Sequence, residues 1–456
     1  MLSDLVKKAS SMSGAVSISR VLGLVREQVF AFLFGASTFS DAYLLAFRIP
    51  NLFRDLLAEG ALGSAFLSVF SKIKSKSDAQ ALKRQTEVFL SLVFFVLASL
   101  LYYFAPDIVS FLAEDFKDQP GKHQLSVELT RFLLPFLYFA SLAAVATSLL
   151  NSLGYYFWPS LGPALFNLSC IIGGAFAYYF SQAGIGEKEI WIFSGATLLG
   201  GFLQWAFMWP LLLKKNYSPF LLLKDLLAFP FKIVSYLNNK ELKRVLVMMG
   251  PAIIGMASVQ INVLINTFFA ASQTPGSITW LNYAFRLEHL PIGLIGVALS
   301  MASLPKLARN YRDNKINEFH SIVMQALKII FSLGTIASLV YFFFGDVIIS
   351  LLFERGRFAA YDTQMTFAAL RYYSIGLCFF MAQKIFVSAF YAMEKVWLPY
   401  MISFAAIAVN FILARELSES LGHKGLALAN SLSIIMQVIA LLTAYYFLLI
   451  RKRKKV

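Results

Sequence analysis

The chain has 456 residues, of which 58% are apolar and 14% charged, with 45 Phe, 20 Tyr and a formal net charge of +15; its mean hydropathy is +0.67. No water-soluble domain can hide so much apolar surface, so the composition excludes a soluble protein and indicates an all-α integral membrane protein with many spans. The basic excess would by itself suit a nucleic-acid partner, but the distribution of the bases along the chain excludes one.

Apolar runs of about 20 residues, enough to cross the hydrocarbon core, predict twelve transmembrane helices. They fall at 11–36, 41–71, 86–112, 128–151, 158–181, 189–213, 245–271, 277–305, 322–352, 364–393, 396–414 and 425–450. The first span already contains Arg20, Arg26 and Glu27 and has no compact apolar core followed by a cleavage site, so it is predicted to stay rather than be removed as a signal peptide. The second, "LLAFRIPNLFRDLLAEGALGSAFLSVF" (44–70), carries Arg48, Arg54, Asp55 and Glu59 in a stretch otherwise greasy enough for lipid. On an ideal helix Asp41, Arg48, Asp55 and Glu59 lie within about 40° of one another, forming a polar stripe. Pro50 interrupts the hydrogen-bond ladder, and a kink there would bring Arg54 round to the same side. Arg20 and Glu27, seven residues apart, share a face of the first helix, where Gly14 and Gly23 allow close approach. "GPALFNLSCIIGGA" in the fifth span supplies small residues for tight helix contacts. After the sixth span, "SPFLLLKDLLAFPFKIVSYL" (218–237) reads either as an amphipathic helix on the inner leaflet or as a simple linker.

With the N-terminus inside, one set of loops and tails collects 24 of the 40 Lys and Arg residues and the opposite set only seven. That is the positive-inside pattern; it predicts both termini in the cytoplasm and makes most of the basicity a matter of topology. The remaining nine bases, Arg20, Arg26, Arg48, Arg54, Arg131, Arg286, Lys328, Arg371 and Lys384, lie within spans. A charge at mid-membrane costs about 2.5–3.5 kcal/mol on insertion scales and normally faces a wet cavity or a partner.

The chain also matches itself at an offset of about 238 residues. "LLAFRI" (44–49) falls on "NYAFRL" (282–287), pairing Arg48 with Arg286; with small gaps "FGAS" (34–37) falls on "FAAS" (269–272), Asp107 on Asp346 and Pro159 on Pro399. The expected organisation is therefore an N-terminal six-helix bundle (1–215), a cytoplasmic amphipathic linker (216–244) and a C-terminal six-helix bundle (245–456). Repeats with an even number of helices keep the same orientation, and two such pseudo-symmetric bundles would enclose a central cavity. For the charges inside it two readings stand: intramolecular ion pairs that lock the bundles, or a hydrated cationic site for an anion with the acids holding the arginines between substrates. Arginine suits phosphate because its planar fork binds bidentately and stays charged in a semi-dry site. The two cysteines and four histidines are scattered, so neither a disulfide, a metal site nor a cofactor is expected.

"SRVLGLVRE" (19–27), "DAYLLAFRIPNLFRDLLAEGALGSAF" (41–66), "YAFRLEHLPIGLIGVALSMASLPKL" (283–307) and "LLFERGRFAAYDTQMTFAALRYYSIGL" (351–377) resemble the MurJ (MviN) family of bacterial lipid II flippases. That family belongs to the multidrug/oligosaccharidyl-lipid/polysaccharide exporter superfamily, and the resemblance runs from the first helix to the twelfth. It implies a non-enzymatic, multi-pass transporter of the bacterial cytoplasmic membrane that moves lipid II for cell-wall synthesis, acts as a monomer among membrane lipids, and stands near cell-wall synthesis proteins. It further implies that Arg20, Arg26, Arg54 and Arg286 bind the pyrophosphate of lipid II, with Arg48 as a fifth base and Asp41 at the family's acid position. Asp55, Glu59, Glu27, Glu288 and His289 are expected to support them.

This chain departs from the family in three places. An acid commonly precedes the eighth-helix arginine, where Phe285 stands, and a polar or acidic residue follows three positions later, where His289 stands. Glu288 is expected to substitute by reaching a base on another helix, since residues two apart point to different helix faces. Members usually have fourteen helices. A sodium site described for one member uses carboxylates on the seventh and eleventh helices; the matching stretches here offer Asn262, Asn266, Asn410 and Ala414, which do not support sodium coupling. The alternative within transport is another polyprenyl-linked glycan; an enzyme acting on a polyprenyl phosphate would want clustered carboxylates, and the acids of the inner loops are isolated.

Overall fold

The computed structural model describes residues 2–56, 62–73, 75–181, 184–218 and 239–453, which are helical almost throughout and contain no β-strand. In chain order the helices are α1 (Leu2–Phe34), α2 (Thr38–Phe53), α3 (Gly63–Phe70), α4 (Lys76–Tyr103), α5 (Ala105–Leu112), α6 (Pro120–Leu133), α7 (Pro135–Ser152), α8 (Phe157–Phe180), α9 (Glu187–Ala206) and α10 (Trp209–Lys214). There follow α11 (Lys240–Ala271), α12 (Ser277–Pro291), α13 (Ala298–Arg312), α14 (Ile316–Phe353), α15 (Ala360–Ala392), α16 (Trp397–Leu421) and α17 (His423–Arg453). Where they are described, all twelve expected spans lie largely on helices. Among the described residues nine helical segments are long and apolar enough to cross a membrane. The spans expected at 11–36, 41–71 and 245–271 are not among the nine: the first holds Arg20, Arg26 and Glu27, the second is divided, and the third is apolar only over Met256–Ala271. Of the linker expected at 216–244, residues 219–238 lie outside the described residues, and α11 already begins at Lys240.

The chain divides into two compact units, one of Met1–Phe34 and Thr38–Gln260, the other of Gly35–Ser37 and Ile261–Val456. In the first, α8 packs along α1 and α9, α6 along α2, and α7 against α3, α4 and α9. In the second, α17 packs along α15 and α16, and α15 also runs against α12, α13 and α14. The second-to-fourth, third-to-fourth, fourth-to-sixth and fifth-to-sixth span contacts thus recur in both, as a duplicated sequence should produce.

Apolar burial gives little drive to helix association in lipid, so close packing and interhelical hydrogen bonds must hold each unit. A Cβ on Gly173 would sit 2.1 Å from Ala196 Cβ and one on Gly174 2.4 Å from a Val29 methyl, which is how α8 meets both α9 and α1. Polar side chains stitch the same seams: Asn167 donates to the Ser19 carbonyl at 3.0 Å, Ser169 to the Ala196 carbonyl at 2.8 Å, and the Tyr43 and Thr197 hydroxyls pair at 2.8 Å. In the second unit Ser431 donates to the Tyr372 carbonyl and Tyr341 to the Leu287 carbonyl, both at 2.7 Å. A buried pair inside α4, Lys83 and Glu87 at 2.7 Å, also fastens the chain beyond α10, because Lys83 Nζ reaches the Ser218 carbonyl at 2.7 Å.

The second span of each repeat has the same irregularity. After Pro50, α2 gives way to a π-helical turn at Arg54–Leu56; after Pro291, α12 gives way to one at Ile292–Val297, at the same offset that aligns the sequences. Proline lacks the N–H that the ladder needs, and a wider turn accommodates the mismatch. The consequence for function is a change of register: residues after the wide turn no longer follow the ideal-helix projection from which a single stripe was expected.

Candidate anion-binding site

The first unit gathers two arginines over one aromatic platform. Phe166 from α8 and Phe136 from α7 lie with ring centroids 5.5 Å apart, and Phe47 from α2 packs on both, at 6.4 and 5.1 Å. The Arg26 guanidinium, from the last turns of α1, stands 5.3 Å above Phe166. The Arg54 guanidinium, from the π turn after α2, stands 5.8 Å from Phe136. A guanidinium over a ring face gains cation–π attraction while its N–H edge stays free to pair.

Each edge is met by the adjacent acid. Glu27 accepts from Arg26 Nε at 3.1 Å and closes an ion pair with Nη2. Asp55 accepts from Arg54 Nε at 3.1 Å and Nη2 at 2.8 Å. Its other oxygen takes hydrogen bonds from Asn51 at 3.2 Å and Gln260 at 3.1 Å, so the carboxylate is fixed from two sides. The side chains of Arg26 and Arg54 are 16% and 20% exposed.

The sequence expectations fare unevenly. Arg26, Glu27, Arg54 and Asp55 come together as two adjacent pairs. Glu27, expected to share its face with Arg20, gives its carboxylate to its neighbour Arg26, and Arg20 is exposed. Asp41 does not stand as a member of a wet stripe: it is 1% exposed and pairs with Lys122 at 3.1 Å. Helix α6 presents Lys122 in its first turn, and the Phe116 ring covers its ammonium at 4.0 Å. Lys122 precedes the apolar run predicted at 128–151, so it counts among the seven bases of the opposite loops and its burial is not legible in the sequence. Arg48 is half-buried in α2, and Glu59 lies outside the described residues.

In the second unit Arg286 is exposed on α12. Glu288 corrects the expectation that it would reach a base: it is fully buried, and among the described residues neither carboxylate oxygen has a hydrogen-bond partner. His289 is placed by its own helix, Nδ1 3.0 Å from the Phe285 carbonyl and its ring 3.9 Å from that of Phe285. Where the first unit clamps its second and fourth spans with Asp41 and Lys122, the second uses the Trp280 indole donating to Asp362 at 2.9 Å. Two of the three expected asparagines join a carboxamide chain with Asn430: Asn410 donates to Asn262 at 2.7 Å, and Asn262 to Asn430 at 3.4 Å. Among the described residues no cluster of three or more His, Cys, Asp or Glu could hold a metal ion.

Sequence reasoning missed Phe47, Phe136, Phe166, Asn51, Gln260 and Lys122. The aromatic residues are indistinguishable from lipid-facing ones in so apolar a chain, and only packing brings them beneath the arginines.

Residues 30–455 match the family model described as lipid II flippase MurJ. A protein named lipid II flippase MurJ from Burkholderia cenocepacia is 31% identical over 453 residues, covering 99% of this chain and 84% of the relative. A probable lipid II flippase MurJ from Buchnera aphidicola subsp. Acyrthosiphon pisum is 33% identical over 433 residues, covering 94% of this chain and 81% of the relative. Among solved structures, a lipid II flippase MurJ in an inward closed conformation superposes with a TM-score of 0.76 at 26% identity, over 95% of this chain and 87% of that one. An inward-facing multidrug resistance transporter of the MATE family shares the fold, with a TM-score of 0.76 at 16% identity over 97% and 99% of the two chains.

Proposed function

This chain belongs to the lipid II flippase MurJ family, and we propose that it carries lipid II from the inner to the outer leaflet of the bacterial cytoplasmic membrane by alternating access, with Arg20, Arg26, Arg48, Arg54 and Arg286 taking the pyrophosphate. The observation that carries this reading is the pair of guanidiniums, Arg26 and Arg54, held by carboxylates over adjoining rings in a span region where bare charge is costly. In the empty protein Glu27 and Asp55 satisfy the arginine edges. An arriving pyrophosphate offers more oxyanion acceptors and displaces them, so binding exchanges one set of charge-assisted hydrogen bonds for a stronger one. The rings underneath fix the planes of the guanidiniums, which lowers the ordering cost of that exchange.

Arg20, Arg48 and Arg286 join the reading through the family motifs and, for Arg48 and Arg286, through the internal repeat. The substrate is handled unchanged: no bond is made or broken, and no cofactor takes part. The inside-negative membrane potential favours outward movement of an anionic headgroup by about 2.3 kcal/mol per charge per 100 mV. Both termini lie in the cytoplasm on this reading, following the bias of basic loops, and the chain works as a monomer.

The test is rescue of cells depleted of their own flippase, following lipid II accumulation, with membrane insertion of each variant verified. The parent chain should restore growth. Alanine at Arg20, Arg26, Arg54 or Arg286 should abolish rescue, and lysine should restore it only in part, since it keeps charge and loses the bidentate fork. Failure of the inserted parent to rescue would overturn lipid II as substrate; full rescue by all four alanine variants would overturn the arginine site.

A further inference from the structure

A second cleft in the first unit lies well along the chain from the arginine pairs. It has a volume of about 480 Å³ and is lined by the turn between α7 and α8 together with α10. Gly154, at φ +85°, makes the turn that a side chain would resist, and the next four residues, Tyr155, Tyr156, Phe157 and Trp158, form an aromatic wall. Trp158 is held rigidly: its indole N–H donates to the Phe207 carbonyl at 2.9 Å, and its ring stacks on that of Phe207 at 4.4 Å with 9° between planes. Lys214 completes the lining and is exposed. The next residue, Lys215, holds its ammonium 4.8 Å from the Tyr155 ring. Among the described residues no acid lines the cleft, and the charge they bring to it is positive.

We propose that this cleft binds an anionic phospholipid of the surrounding bilayer, with Lys214 taking the phosphodiester and the Tyr155–Trp158 wall taking the glycerol and first methylenes. The aromatic rings are suited to the interfacial layer, where one side of the ligand is apolar and the other wet. An exposed lysine attracts a lipid phosphate and a free water-borne anion alike; the apolar wall is what selects a lipid. The repeat sharpens the contrast, because the matching turn of the second unit carries Glu394, also at positive φ, where the first has Gly154. This occupant is distinct from the lipid being moved, so the result does not depend on the flippase reading.

The experiment uses the full chain in phosphatidylcholine vesicles containing a minor fraction of brominated phosphatidylglycerol or, at equal mole fraction, brominated phosphatidylcholine. The Trp158 fluorescence is obtained as the difference between the parent and Trp158→Phe. Brominated phosphatidylglycerol should quench that component more strongly, with apparent affinity about tenfold lower in Lys214→Ala and restored in Lys214→Arg. Millimolar inorganic phosphate should not relieve the quenching. Equal quenching by both lipids would reduce the cleft to unselective lipid contact and overturn the proposal. Relief by phosphate would make it a free-anion site, and quenching by neither lipid would give the cleft to this chain's own residues 219–238; either result overturns it too.

Discussion

Lys122 Nζ stands 3.1 Å from Asp41 Oδ2, and the two side chains are 3% and 2% exposed. The pair joins the first turn of α6 to the first turn of α2 and so fixes the helix that carries Arg48 and leads into Arg54. Removing one member leaves the other charged and buried, which costs about 3–5 kcal/mol, whereas removing both can be nearly neutral. Lys122→Met or Asp41→Asn alone should therefore lower the thermal denaturation midpoint of the purified protein markedly, and the double variant should recover most of the loss. Additive losses would mean that the two residues act independently.

The carboxylates beside the arginines give a prediction of opposite sign for binding and for turnover. On the proposed reading Glu27→Gln and Asp55→Asn take away the groups that pyrophosphate would displace, so each should bind lipid II several-fold more tightly and release it more slowly. Equilibrium binding to the purified variants, set against flipping in reconstituted vesicles, separates the two effects. Weaker binding in both variants would show that the acids organise the arginines without competing with the ligand.

Glycine substitutions on two neighbouring helices should behave in contrasting ways. Gly173→Val must push α8 off Ala196 and should cost about 1–3 kcal/mol or prevent stable insertion. Gly195, on α9, has nothing within 4 Å of an added Cβ, so Gly195→Ala should be neutral or stabilise by up to about 1 kcal/mol. Denaturation midpoints measured in one detergent decide both, and equal effects would remove close packing as the explanation.

Glu288 is a buried carboxyl whose oxygens have no hydrogen-bond partner among the described residues. A group left in that state costs about 1–3 kcal/mol, so the similarly shaped apolar side chain of Glu288→Met should raise the denaturation midpoint. If the variant is less stable than the parent, the carboxyl has a stabilising partner in the folded protein and the reading of its environment fails.

The sequence by itself determined the class of protein, the approximate position of its helices, the duplication and the arginine motifs. Each of these is written in local composition or in a linear repeat: a run of apolar residues must enter lipid wherever the rest of the chain goes, and "LLAFRI" matches "NYAFRL" without reference to a fold. Tertiary structure decided the partners. The ideal-helix stripe through Asp41, Arg48 and Asp55 assumed a constant 3.6-residue turn, and the π turn at Arg54–Leu56 breaks that register. Asp41 found Lys122, 81 residues away, and Arg26 and Arg54 found Phe166 and Phe136 on other helices, contacts that no linear spacing encodes. Glu288 was assigned a base because a charge in a membrane usually has one; the packing of its helix instead buries it fully, with no hydrogen-bond partner among the described residues. In a chain this apolar, helix existence is fixed by transfer from water to lipid, while the choice among many equally greasy neighbours is made by shape, small residues and the few hydrogen bonds that three-dimensional packing permits.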